Sequence, residues 1–97
     1  LLSAYSVQSL DKAWGEKGAI LLRVEAEDHP GILSDAMRLI KEAAPSAKIL
    51  QYGLRGQASK AIMEFALEAL NPEEDIAEKI SSALVGNDMS VRQIFAE

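Results

Sequence analysis

The sequence predicts a two-layer α+β sandwich, one four-stranded antiparallel sheet with two helices on one face. Three observations predict it. Apolar residues recur at every second position in four stretches and at helical spacing in two others. The stretches run strand, helix, strand, strand, helix, strand. The 97 residues suffice for one modest core and no second.

Residues 1–17 are weakly patterned. Tyr5, Val7 and Leu10 alternate as in a short edge strand, while Asp11 to Gly18 holds turn formers and mixed charge, so the stretch reads as a lead-in or linker. The domain itself is expected over 18–97. From Gly18 the period is two: Ile20, Leu22, Val24 and Ala26 share one face, and Leu21, Arg23, Glu25 and Glu27 the other. Asp28-His29-Pro30-Gly31 ends this strand, since proline lacks an amide donor and glycine allows close backbone approach. A helix follows, with Leu33, Ala36, Met37, Ile40 and Ala44 on one face and Asp35, Arg38, Lys41 and Glu42 toward water; Pro45 stops it.

Lys48 to Leu54 alternates loosely, Gly53-Leu54-Arg55-Gly56-Gln57 reads as a turn, and Lys60 to Leu70 alternates again, which predicts a hairpin. Asn71-Pro72-Glu73-Glu74 predicts a second helix start: a capping side chain, proline at the first helical position, and acids beside the positive end of the dipole. Ile76, Ala77, Ile80, Ala83 and Leu84 repeat at helical spacing, Gly86 fits just past the end, and Met89 to Phe95 closes as a strand. Each strand–helix–strand half crosses over right-handedly, so both helices fall on one side of the sheet. The expected fold is therefore a ferredoxin-like βαββαβ sandwich. Its other sheet face, carrying Leu21, Ile62 and Ala66, has no predicted cover, which argues for self-association.

Composition narrows the function classes. Lys and Arg number 10 against 15 Asp and Glu, a net charge of −5, and the deficit lies in the C-terminal third. That disfavours nucleic acid, which needs a basic stripe. No cysteine is present, which removes disulfides and thiol chemistry, and the single His29 removes any multi-histidine cage. No apolar run reaches the length of a membrane span. The chain opens Leu1-Leu2 without methionine, which reads as a piece of a longer polypeptide. A nucleophile–base arrangement would have to use His29 on a tight turn, so the chain is not expected to be an enzyme, and no cofactor is implied. Glu64, Glu68, Glu73, Glu74, Asp75 and Glu78 read as a solvated acidic surface, with a divalent-ion cluster as the alternative. Gly53 to Gly56 superficially matches the clamp loop of KH-type RNA binders, but it lies between strands. Trp14 and Tyr52 read as core or interface rather than as ligand stackers.

The Asp28–Gly31 turn has a mechanism attached. A glycine turn at a helix N-terminus exposes amides that suit a carboxylate, and Asp28 beside it suits an ammonium group. Together these match the two poles of an α-amino acid. The competing reading is that Asp28 caps the helix and Pro30-Gly31 only turns the chain.

The segment Leu22 to Leu33, with Asp35 and Ile40 following, resembles the opening strand–turn–helix of ACT domains, whose turn reads acidic–any–Pro–Gly–aliphatic. The resemblance spans about residues 18–96 in element order, and Ile49 is similar to the aliphatic residue opening the family's second strand. Ala44-Pro45-Ser46-Ala47-Lys48 departs from the Gly-Ala-Asn approach common there. Trp14-Gly15-Glu16 is similar to the lead-in of ACT domains of RelA/SpoT-type alarmone enzymes. The resemblance implies a cytoplasmic, non-catalytic regulatory module that forms a homodimer or higher assembly and binds an amino acid or similar small molecule. Asp28, His29, Pro30, Gly31, Ile32 and Leu33 would line that site, with Ile49 and Gln51 from a partner strand. The alternative is a ligand-free self-association domain.

Overall fold

A computed structural model describes residues 19–71 and 74–94. The elements are β1 (Ile20–Glu27), α1 (Ile32–Ala43), β2 (Ala47–Gln57), β3 (Lys60–Ala69), α2 (Ile76–Val85) and β4 (Ser90–Ile94). The strands form one antiparallel sheet in the order β2-β3-β1-β4. This is the expected ferredoxin-like arrangement. The lead-in over 1–17, with Tyr5, Val7, Leu10 and Trp14, and the Pro72-Glu73 pair lie outside the described residues.

Two-residue periodicity sorts the side chains of β1 and β3 into two faces. Leu22, Val24 and Ala26 of β1 lie opposite Phe65, Met63 and Ala61 of β3, and all six are buried with Ile32, Ala36, Leu39 and Ile40 of α1 and Ile76, Ile80 and Leu84 of α2. Leu33 and Met37 pack on the margin of this core, while Leu39, which the helical pattern did not single out, belongs to it. The α1 helix buries a wider stripe than expected because it packs against α2 and β2 as well as over the shared core.

Several local expectations are corrected. The hairpin does not turn at Gly53 to Gln57: β2 continues to Gln57, which faces Lys60, and the turn is Ala58-Ser59, with Ala58 at φ 56°. Gly53 and Gly56 are strand residues facing Glu64 and Ala61. Leu50 is the extra residue of a bulge, because Ile49 faces Leu67 and Gln51 already faces Ala66. The α2 helix is capped not by Asn71 but by Asp75, whose carboxylate accepts from the Glu78 amide at 3.2 Å. The acid of its first turn is Glu78.

Gly86 does sit at the end of α2, but with a right-handed φ of −64°. The left-handed residue of that turn is Asp88, at φ 63°. Gly86 is needed for space: a Cβ there would meet the Ser82 carbonyl oxygen at 3.3 Å. Glu74 is also not simply solvated, since Ser46 Oγ donates to it at 3.0 Å and Lys79 Nζ lies 3.6 Å away.

The largest departure is on the sheet face away from the helices. Leu21, Ile62 and Ala66 are buried there, at 3%, 4% and 0% exposure, although both helices pack on the opposite face. Glu64, expected on a solvated surface, is 1% exposed. It sits on β3 between Arg23 of β1 and Gly53 of β2, inside the sheet rather than at its rim.

Candidate functional site

Two clamps and a left-handed glycine build the β1–α1 turn. The Asp28 amide donates to the Ser59 carbonyl oxygen at 3.0 Å, which ties the turn to the β2–β3 hairpin. Lys60 Nζ reaches Glu27 Oε1 at 3.2 Å across the same junction. Gly31 then takes φ 85°, a conformation open to glycine, and stands at the N-cap of α1 without any side-chain cap. The reading of Asp28 as a helix cap is thereby excluded.

The first amides of α1 divide into two groups. Ile32 donates to the His29 carbonyl oxygen at 3.1 Å, and Asp35 closes the first helical turn on the Gly31 carbonyl oxygen at 2.9 Å. Leu33 and Ser34 find no backbone acceptor among the described residues. The Pro30 carbonyl oxygen, four residues before Ser34, lies 2.8 Å from His29 Nδ1. Two donors are left at the positive end of the helix dipole, the local arrangement that receives an anion.

Side chains of the turn face two ways. Asp28 leans over β3 toward β2: a Cβ on Gly56 would meet Asp28 Oδ2 at 3.6 Å, and both residues are exposed. His29 faces the other side, where its Nε2 lies 3.9 Å from Asp35 Oδ2. There His29, Ile32, Asp35, Arg38 and Asp88 line a cleft of about 320 Å³ between the start of α1 and the α2–β4 turn. Sequence reasoning missed Arg38 and Asp88 in this cleft. Arg38 was legible only as the residue one turn beyond Ser34, and Asp88 only through the fold.

Ile49 and Gln51 are not brought to the turn within one chain. Ile49 is opposite Leu67, which is opposite Ile20, whereas Asp28 follows Glu27 seven residues further along β1. That separation is about 23 Å of strand. Ile49 packs partly against the core, and Gln51 is exposed on the edge strand β2. The expected site residues thus form one contiguous turn, Asp28 to Leu33, and one distant pair. Among the described residues no group of three histidines and acids could hold a metal ion. No helix of the described residues is long and apolar enough to cross a membrane.

No protein-family model matches the sequence, and no curated protein sequence does. Solved structures do match. An ACT domain protein from Streptococcus pneumoniae superposes with a TM-score of 0.62 at 11% identity, over 78% of this chain and 86% of that one. The ACT domain from GTP pyrophosphokinase of Chlorobium tepidum gives 0.55 at 12% identity, over 78% and 96%. A formyltetrahydrofolate deformylase from Pseudomonas putida gives 0.61 at 6% identity, over 78% of this chain and only 28% of that chain. The chain therefore has the fold of ACT domains, and it corresponds to about a quarter of the length of the deformylase.

Proposed function

We propose that this chain is a non-catalytic regulatory module that senses an amino acid between two copies and thereby controls a larger protein, a reading supported by the fold it shares with the ACT domain from a GTP pyrophosphokinase. The observation that carries the reading is the β1–α1 turn: Gly31 at φ 85°, the open Leu33 and Ser34 amides, and the exposed Asp28 carboxylate on the β2 side. The amides take the ligand's carboxylate, and Asp28 takes its ammonium group.

A second copy completes the site. Among the described residues strand β2 is an edge of the sheet, the kind of element that pairs with a further strand. Two β2 strands joined antiparallel near their middles set the Ile49 and Gln51 half of one beside the Gly56 half of the other, where Asp28 lies. A ligand bridging the copies binds the pair more tightly than either chain alone, so it shifts assembly by its differential affinity.

Calorimetric titration of the chain against the twenty amino acids tests the reading. At least one saturable isotherm is expected, weakened in Gly31→Ala, with the sedimentation coefficient rising as ligand is added. A flat panel retires ligand sensing. Tyr52 and Leu54, about half exposed on β2, favour a second reading in which the pair forms without ligand; a dimer indifferent to every amino acid is its signature.

A further inference from the structure

Two arginines stand side by side on the outer sheet face. Arg23 of β1 is there because Leu22 and Val24, on either side of it, belong to the helix-covered core. Arg92 of β4 lies directly opposite Arg23, so it shares that face, and one row along Ser90 lies opposite Glu25. Side chains opposite each other across a strand pair are about 5 Å apart at their Cβ atoms, where like charges repel. The pair therefore calls for an anion.

The neighbouring carboxylates do not supply it. Glu64 faces Arg23 from β3, but it also acts on Arg55, and β1 separates it from Arg92. Among the described residues the ion pairs join His29 to Asp35, Arg38 to Glu42, Lys60 to Glu27 and Lys79 to Glu74, and none takes in Arg23 or Arg92. Glu25 faces Ser90 rather than an arginine. Arg23, Glu25, Ser90 and Arg92 together line an open cleft of about 270 Å³ at the β4 edge, and the last three are exposed.

We propose that this cleft binds a small phosphate monoester that also carries an amine or hydroxyl group. The inference is independent of the amino-acid reading, since the cleft is at the β4 edge and the second copy is placed at the β2 edge. Two guanidinium groups ask for more than a carboxylate gives, because its two oxygens fill one fork. A phosphate monoester has three terminal oxygens, enough for both arginines and the Ser90 hydroxyl. Glu25, in the same row as Ser90, accepts a hydrogen bond from the ligand's amine or hydroxyl. A cleft of about 270 Å³ lies below the range that takes drug-sized ligands, which suits a compound this small. The chain's net charge of −5 opposes a polyanionic surface, so a free phosphate compound is favoured over an anionic membrane.

Calorimetric titration of the chain with phosphoethanolamine and with inorganic phosphate tests the proposal. Saturable heat is expected for both, with phosphoethanolamine the tighter. Arg92→Gln should weaken phosphoethanolamine about tenfold while circular dichroism stays unchanged. Glu25→Gln should weaken phosphoethanolamine yet strengthen inorganic phosphate, because it removes an acceptor for the amine and a like charge beside the anion. A general loss of structure cannot produce that crossover. Should Arg92→Gln unfold, Ser90→Ala, which removes only a hydroxyl, serves in its place. Heat absent from both titrations overturns the proposal, and so does an affinity that survives Arg92→Gln, since the compound then binds elsewhere. Cosedimentation with phosphatidic acid vesicles, without heat from either soluble compound, also overturns it, because the arginine pair then reads a membrane surface. Neither probe is an amino acid, so failure here leaves amino-acid sensing untouched, and the converse holds.

Discussion

Two residues bear opposite kinds of strain. Gly31 holds a left-handed backbone with nothing within 4 Å of the Cβ it lacks, so Gly31→Ala costs backbone energy alone, about 1–2 kcal/mol. In a domain of this size the melting temperature should fall by about 4–8 °C for each kcal/mol. Gly56→Ala is the contrast: its new Cβ makes ordinary contact with Asp28 Oδ2 at 3.6 Å, so the thermal midpoint should hold or rise slightly while ligand affinity drops. Glu64 bears strain of another sort. Burial pushes its carboxyl above the ordinary value, and nearby Arg23 and Arg55 only partly offset this. Between the ordinary and the raised value the unfolded chain has lost a proton that the native chain keeps, so stability must fall as pH rises through that window. Chemical denaturation of Glu64→Gln at a series of pH values should show this decline removed. A decline of unchanged size in the variant would assign it to another group.

At the scale of elements, sequence and structure agree where one face is apolar at a clean period. The alternation of β1 and β3 gave their bounds to within a residue or two, and Ile76, Ile80 and Leu84 marked the inner face of α2. Disagreement arises where a residue type has two uses. Gly53 and Gly56 look like turn formers, yet in β2 they are strand positions facing Glu64 and Ala61, and the tight turn falls on Ala58, which no propensity would choose. Asn71 and Asp75 are both good caps, four residues apart, and packing of Ile76 into the core selects the second. Asp75→Ala should therefore cost about 0.5–2 kcal/mol, whereas Asn71→Ala should cost less; urea titration of the two variants checks the order. For the site, the turn itself was legible because Pro-Gly after an alternating strand has one local meaning. Arg38 and Asp88 were not, because only the tertiary fold brings α1 against the α2–β4 turn. Glu64 was misread because alternation places a residue on a face without saying whether that face is wet.

Across the whole molecule, one sheet serves three environments. Its inner face carries the core, with Phe65 and Leu22 fully buried at the centre, so Phe65→Ala should cost about 3–5 kcal/mol and threaten folding outright. Its outer face holds the single buried charge among the described residues. Its β2 edge remains exposed through Tyr52 and Leu54 and lies on the same side of the β1–α1 turn as Asp28. Tyr52→Lys places a charge on that edge and should lower dimer formation in sedimentation velocity while the circular dichroism spectrum is retained. The account stands on the link between turn and edge: a small zwitterion held by the amides of α1 and by Asp28, with a second copy closing over it. Titrating the full chain with each amino acid in a calorimeter, beside Gly31→Ala, measures that link directly. The account predicts saturable heat for at least one amino acid, reduced in the variant; heat absent from every titration, or identical in the variant, would contradict it.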